Sequence, residues 1–375
     1  MNKRTINLLC VIALTCAGFL SVASPVIAEY GTGAAMESGS LKNKLSEIDA
    51  FHPPTRGYPG VLMYKEWHYF NILDDEQNLS FITTLTLNGN VSDPGMSAAV
   101  VLMSYFTLVK ENLTADVYPV TLAEWSDMTP DMRIAGSSVR LTKEGYHLHV
   151  VSADTRSVFD AIFKPEAEHA PVFSVPLGEG RIINWLSASP KMKVNGKFTV
   201  NRGTAEEKTY TFKNVRGYHD HNWGYWLWQD DLGWDWGQAT QVKGGDETGT
   251  YTFSFGNITN MNHTGSKSTV LEFWKNKKII AGFKDNEIQI RHEIMNTVPI
   301  LPDAPFPLVT VLNANSGENK LNMVFTTGHM TPIPIGLEGG GYRIIWELTG
   351  VYEVSGYVNG KPVSYITTGY LEYVA

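Results

Sequence analysis

Cysteine is almost missing from this chain. Of 375 residues only Cys10 and Cys16 are cysteines, and both lie in the first apolar run. Once that run is removed, the protein has no disulfide, no thiolate nucleophile and no cysteine metal site. Basic charge is also scarce: 30 Lys and Arg face 38 Asp and Glu, a formal net charge of −8. That balance gives no expectation of a nucleic-acid partner or an anionic membrane surface. Phosphate-cradling and dinucleotide glycine motifs are lacking, as is a Gly-x-Ser-x-Gly elbow, and Gly339-Gly340-Gly341 reads as a loop. Helical periodicity is scarce as well, with one plausible helix over residues 40–51.

The apolar run itself has the form of an export signal. Asn2-Lys3-Arg4 is a short basic start, Leu8 to Val22 is apolar or small apart from Thr15 and Ser21, and Val26-Ile27-Ala28 is a small-residue cleavage pattern. The expectation is cleavage after Ala28, a mature chain starting at Glu29, and a periplasmic or secreted protein. The run is short for a membrane span, so no stable anchor is expected after cleavage.

What is present is strand. Hydrophobic residues make up 43% and aromatics 11% of the chain, and they fall in short β-branched and aromatic segments such as 97–108, 138–151 and 308–312. Tyr146-His147-Leu148-His149-Val150 alternates clearly. Asn88-Gly89, Glu144-Gly145, Asn195-Gly196 and Asn359-Gly360 read as hairpin turns. A weak internal repeat organises these strands. Trp67-His68-Tyr69 followed by 79–82 resembles Trp234-Asp235-Trp236 followed by 251–254. The closing Gly217-Tyr218-His219-Asp220 corresponds to Gly369-Tyr370-Leu371-Glu372. The reading is all-β: a signal peptide at 1–28, a lead-in at 29–55, and two β domains at 56–228 and 229–375.

Chemistry concentrates near the boundary, where Trp223, Trp226, Trp228, Trp234 and Trp236 supply half of the 10 tryptophans. If 218–223 is a strand, His219, His221 and Trp223 share one face, and Tyr218, Asp220 and Asn222 the other. Imidazoles beside an aromatic wall suit acid–base work near a cation, whose charge the indole faces attract. A core in which these groups merely satisfy backbone atoms fits equally well. His219-x-His221 also has metal-pair spacing, but a catalytic zinc takes three protein ligands. The third would come from afar, with His68 the best candidate. The expectation is no metal and no cofactor.

Gly217-Tyr218-His219-Asp220-His221-Asn222-Trp223-Gly224 resembles the signature of the hydroxyneurosporene synthase (carotenoid 1,2-hydratase) and AttH-like family. Glu66-Trp67-His68-Tyr69-Phe70, Ile183-Asn184-Trp185-Leu186, Lys193-Val194-Asn195-Gly196-Lys197 and the closing 369–372 also look like that family, so the similarity spans roughly 60–375. It implies two tandem lipocalin-like (calycin) antiparallel β-barrels and a cofactor-free hydratase or cyclase acting on a hydrophobic isoprenoid or lipid-like molecule. His221 and Trp223 match the family's essential His and Trp. Tyr251-Thr252-Phe253 keeps the tyrosine of a Tyr-x-Asp pair but has lost its carboxylate, which departs from carotenoid hydration.

The acid would then be Asp220 or Asp235. The candidate catalytic set is Asp220, His221, Trp223, Asp235 and Tyr251, and the candidate binding set is His219, Trp226, Trp234, Trp236 and Trp67. Protonation of a C=C bond gives a tertiary cation that water or a second alkene captures. A non-catalytic carrier of the same ligand is the alternative, and a secreted hydrolase a third.

Overall fold

The computed structural model describes residues 41–375 except 53, 55–60, 108–109, 243–249, 338–339 and 375. The expected signal peptide and cleavage site lie outside the described residues. Helix α1 (Leu41–Ile48) is followed by two antiparallel sheets. No helix of the described residues is long and apolar enough to cross a membrane.

The first sheet has twelve strands: β1 (Tyr64–Asp74), β2 (Leu79–Gly89), β3 (Ser97–Thr107), β4 (Lys110–Tyr118), β5 (Ala123–Trp125), β6 (Met132–Ile134), β7 (Ser137–Thr142), β8 (Gly145–Val151), β9 (Val158–Pro165), β10 (Phe173–Gly178), β11 (Arg181–Val200) and β12 (Lys208–Tyr225). The second has nine: β13 (Gly233–Thr240), β14 (Tyr251–Thr259), β15 (Ser266–Lys275), β16 (Lys278–Lys284), β17 (Ile288–Val298), β18 (Leu301–Ser316), β19 (Asn319–Gly336), β20 (Tyr342–Val358) and β21 (Lys361–Val374). Both follow one plan. The chain meanders outward, returns, and its last strand pairs with its first: β12 with β1, and β21 with β13.

Alternation decides which residues form each core. In β8, Tyr146, Leu148 and Val150 are buried while His147 and His149 are only partly so. The first core gathers Phe70, Phe81, Tyr146, Phe159, Phe163 and Phe198, and the second Phe253, Phe273, Phe325, Trp346 and Tyr352. Leu45 and Phe51, from the segment read as a lead-in, are part of the first core.

The opening and closing strands differ from the rest. β13 is buried at every position, and β1 at nearly every one. Their outer faces meet in a third apolar cluster that joins the two sheets, with Tyr69, Trp185, Tyr218, Trp234, Trp236 and Tyr370 among its members. Strands buried on both faces have no solvent side, which is why their sequences do not alternate cleanly.

Two expected turns are not turns. Asn88-Gly89 ends β2, paired with Ala98 and Ser97 of β3, and a Cβ on Gly89 would sit 2.3 Å from the Met96 carbonyl oxygen. Asn359-Gly360 does close a hairpin, with φ of 50° and 70°, as an Asn-Gly type I′ turn requires. Asn195-Gly196 instead lies within β11, at an irregularity in its pairing with β12. A Cβ on Gly196 would sit 2.3 Å from the Asp160 carbonyl oxygen, so close backbone approach explains this glycine.

Candidate functional site

The pairing of β1 with β12 sorts their side chains onto two faces. Tyr69 sits opposite Asp220, and His68 opposite His221. Trp67, Tyr69 and Asp220 line a pocket in the seam between the sheets, whereas Glu66, His68, His219 and His221 point into the first barrel. Asp220 and His221 therefore do not share a site, although they are chain neighbours.

The seam pocket is walled by Trp67, Tyr69, Phe173, Ile183, Trp185, Trp234, Trp236 and Ile258, with Asp220, Asn222, Asp235, Asn257 and Glu372 as its polar groups. Its free volume is about 40 Å³, room for a few water molecules. A larger molecule would enter with only its reacting end, or by displacing the indoles.

Carboxyl groups collect here without cations. Asn222 Nδ2 donates to Asp220 Oδ1 at 2.9 Å, and Trp234 Nε1 donates to Glu372 Oε1. Glu347 of β20 is the cross-strand partner of Glu372, and Tyr69 Oη donates to Glu347 Oε2 at 3.5 Å. Among the described residues none of the three carboxyls forms an ion pair. Burial pushes the Asp220 carboxyl up to about 8. Burial and the facing Glu372 raise Glu347 well above the ordinary carboxylate range, and burial raises Glu372. Two facing carboxyls in an apolar setting cannot both ionise, so the pair keeps a proton.

The other face of β1 and β12 carries a denser cluster. Asp49, which follows α1, accepts from Tyr146 Oη at 2.6 Å, and its Oδ2 lies 2.9 Å from His219 Nε2. His221 bridges two acids, with Nδ1 3.1 Å from Asp49 Oδ1 and Nε2 2.6 Å from Glu66 Oε1. Burial alone would lower the His221 pKa, but Glu66 and Asp49 raise it to about 9. His68 stacks on His221 with ring centres 4.0 Å apart, and burial and that neighbour hold it well below the usual range.

Asp235 is the positional counterpart of His68 and faces the second barrel. Although it borders the pocket, its carboxylate lies 3.0 Å from His292 Nε2, 3.3 Å from His263 Nδ1, and accepts from Asn257 at 2.8 Å. Burial would raise its pKa, yet the two imidazoles hold it far below the ordinary range. An ionised, paired carboxylate is not a proton donor, so Asp235 drops out as the acid. Tyr251 packs on Phe273 and Tyr365 in the second barrel and lines no part of the seam pocket. Trp223 stacks on His52 at 4.0 Å, and Trp226 lies in the seam cluster with its ring edge toward Trp67.

Of the sequence candidates, then, Asp220, Trp67, Trp234 and Trp236 come together. His219, His221 and Trp223 form a separate group, and Tyr251 stands apart. Sequence reasoning did not select Tyr69, Trp185, Glu347 or Glu372. The repeat carried the signal for Glu372, which corresponds to Asp220 in the aligned closing strands.

Fold and seam together define an all-β protein of two lipocalin-like barrels in tandem. No family model and no curated protein matches the chain. Solved structures do. A protein assigned as AttH from Nitrosomonas europaea is 14% identical with a TM-score of 0.54, over 86% of this chain and 99% of that one. Kievitone hydratase from Nectria haematococca is 15% identical with a TM-score of 0.53, over 87% and 93%. CghA, solved with Sch210972, is 11% identical with a TM-score of 0.53, over 84% and 88%. Likeness at this level of identity establishes the fold.

Proposed function

We propose that the protein is an exported, acid-catalysed hydratase or cyclase that protonates a C=C bond of an isoprenoid or lipid-like molecule in the seam pocket. The observation that carries this reading is the Glu347–Glu372 pair: two facing carboxyls without a cation, Glu347 buried and Glu372 partly so, the latter opening on a pocket walled by tryptophans. Glu372 delivers the proton to the alkene, and Glu347 behind it supplies the next one. Trp67, Trp234, Trp236 and Trp185 offer their π-faces to the tertiary cation. Asp220, across the pocket, orients the water that adds to the cation. The proton this water releases returns to the carboxyl cluster, so alkene plus water becomes alcohol without a cofactor. Where a second alkene of the same molecule lies closer than water, its capture closes a ring and moves the cation to the new ring, which then returns a proton to the carboxyl cluster and leaves a cyclic isomer. The likeness to kievitone hydratase supports this reading.

The test starts with organic extraction of the protein purified from its export compartment and mass spectrometry of what it carries. An apolar alkene is expected, and incubation should convert it to its hydrate or a cyclic isomer. Glu372→Gln should retain the alkene and lose conversion. If Glu372→Gln and Asp220→Asn both convert it at the wild-type rate, the seam is not the catalytic site.

A carrier is the second reading, and one feature favours it. A cavity of about 450 Å³ in the second half is lined mainly by Met261, Ala304, Pro305, Tyr342, Ile344 and Trp346, with Gln229, Asp303 and Arg343 as its polar groups. That size suits a small apolar ligand. A carrier would return its ligand unchanged.

A further inference from the structure

We propose that Asp49, His68, His219 and His221 form a buried site for one divalent transition-metal ion, with zinc the best match, inside the first barrel. The argument is independent of the chemistry in the seam.

All four side chains are completely buried, at 0% exposure. Their ligand atoms converge on the Asp49 carboxylate. His219 Nε2 lies 2.9 Å from Oδ2, His221 Nδ1 3.1 Å from Oδ1, and His68 Nδ1 3.8 Å from Oδ1. A tetrahedral zinc with bonds of about 2.0–2.1 Å separates its ligand atoms by about 3.3 Å. One ligand atom each of Asp49, His68 and His219 lie within 4.8 Å of one another, and His221 Nδ1 stands beside the same carboxylate, so a small contraction would close the shell. Three imidazoles and one carboxylate is a donor set for zinc and its first-row neighbours.

The outer partners fit the same assignment. A metal-bound imidazole usually donates its other ring N–H to a carbonyl or carboxylate, which fixes the tautomer. His219 Nδ1 donates to the Tyr69 carbonyl oxygen at 2.9 Å, leaving Nε2 turned to the centre. His221 does the same through Nε2, which reaches Glu66 at 2.6 Å, while its Nδ1 has no hydrogen-bond partner of good geometry. Glu66 is itself fixed by Tyr64 and His52. The inner side is where polar atoms go unmatched. Among the described residues Asp49 Oδ1 and both ring nitrogens of His68 lack hydrogen bonds. Buried polar groups are almost always paired, so an unmatched imidazole beside an unmatched carboxylate oxygen marks a ligand. A turn of the His68 ring completes the shell.

The second barrel gives the contrast. At the equivalent place Asp235 is met by His263, His292 and Asn257, and His263 Nε2 donates to the Val374 carbonyl oxygen at 2.7 Å. Asp235 Oδ1 also lacks a hydrogen bond among the described residues, but only two imidazoles reach this carboxylate and both have outer partners, His292 Nδ1 lying 3.2 Å from Thr310 Oγ1. The donor set is therefore smaller than in the first barrel.

Because the site is sealed, metal should enter as the chain folds. The experiment is to unfold the full-length mature protein in chelator, refold it with Co²⁺, and record the visible absorption and the thermal midpoint. Metal analysis of protein refolded with Zn²⁺ runs alongside. The expected result is one ion per chain, a tetrahedral cobalt spectrum and a raised midpoint. His68→Leu removes a ligand without breaking a hydrogen bond, so it should fold, lose the tetrahedral cobalt spectrum and no longer hold one ion per chain. Asp49→Asn should weaken binding in the same way. His147→Ala with His149→Ala, which removes the partly exposed pair beside Asp160, should change nothing. A wild-type protein that folds without taking up cobalt or zinc overturns the proposal. So does a His68→Leu variant that binds as the wild type does.

Discussion

Asp220 and Glu372 hold the same place in the two halves of the molecule. Each sits on the closing strand of its sheet, opposite an aromatic residue of the opening strand: Tyr69 for Asp220, Trp236 for Glu372. Both reach the same pocket. The correspondence extends along the strands. Asn71 and Gln238 are likewise counterparts, and Gln238 Nε2 donates to Asn71 Oδ1 at 3.2 Å across the seam. The two sheets thus meet through equivalent surfaces, and the pocket inherits one carboxyl from each.

The pair of Glu347 and Glu372 should make stability fall as pH rises. Both are raised, so the folded protein keeps a proton that the unfolded chain has already lost above the ordinary carboxylate range. The unfolded state then binds fewer protons, and stability drops by up to about 1.4 kcal/mol per pH unit and proton until the pair ionises in the fold. Denaturant unfolding across neutral to alkaline pH checks this. Glu347→Gln should flatten the decline and be more stable than wild type at the alkaline end.

Trp234→Phe keeps the aromatic wall and removes the indole N–H that donates to Glu372. That donor favours the ionised form, so its loss should raise the Glu372 pKa further. The alkaline limb of the pH–rate profile should move upward, with the fold unchanged by circular dichroism.

Gly256 is the floor of the pocket, with the Trp185 ring 3.3 Å from where a Cβ would stand. Gly256→Ala should shift that ring by a few tenths of an ångström and cost about 1 kcal/mol, the low end for overpacking. Gly256→Leu should fill the pocket, abolish ligand retention and leave the cavity in the second half untouched. Ligand retention after gel filtration reports the difference.

Export remains to be tested directly. We propose cleavage after Ala28, and N-terminal sequencing of protein from the native host should begin at Glu29. Intact Met1 in a membrane fraction would contradict it.

The sequence made the strands legible because alternation and turn chemistry are local. His219, His221 and Trp223 could be placed on one face, and Asp220 on the other, from spacing alone. The site was harder for a non-local reason: which face meets which partner depends on the other half of the chain. Glu347 sits in a strand whose pattern is ordinary, and only its pairing with Glu372 gives it meaning. Asp235 looked like Asp220 in sequence, both acids among tryptophans, but His263 from the turn between β14 and β15 and His292 from β17 reach it and fix its charge. Asp49 lay in a segment read as a lead-in, and its role follows from packing against β8 and β12. The Asn195-Gly196 turn failed for the same reason, since the constraint on Gly196 comes from β9.

Infrared spectroscopy of the wild-type protein at neutral pH tests the central claim most directly, because it needs no substrate. A carboxylic acid that keeps its proton shows a carbonyl stretch well separated from that of a carboxylate. The account predicts this band in the wild type and its weakening in both Glu372→Gln and Glu347→Gln, with the fold intact. A wild-type spectrum with every carboxyl ionised at neutral pH, or a band that both variants leave unchanged, would contradict it.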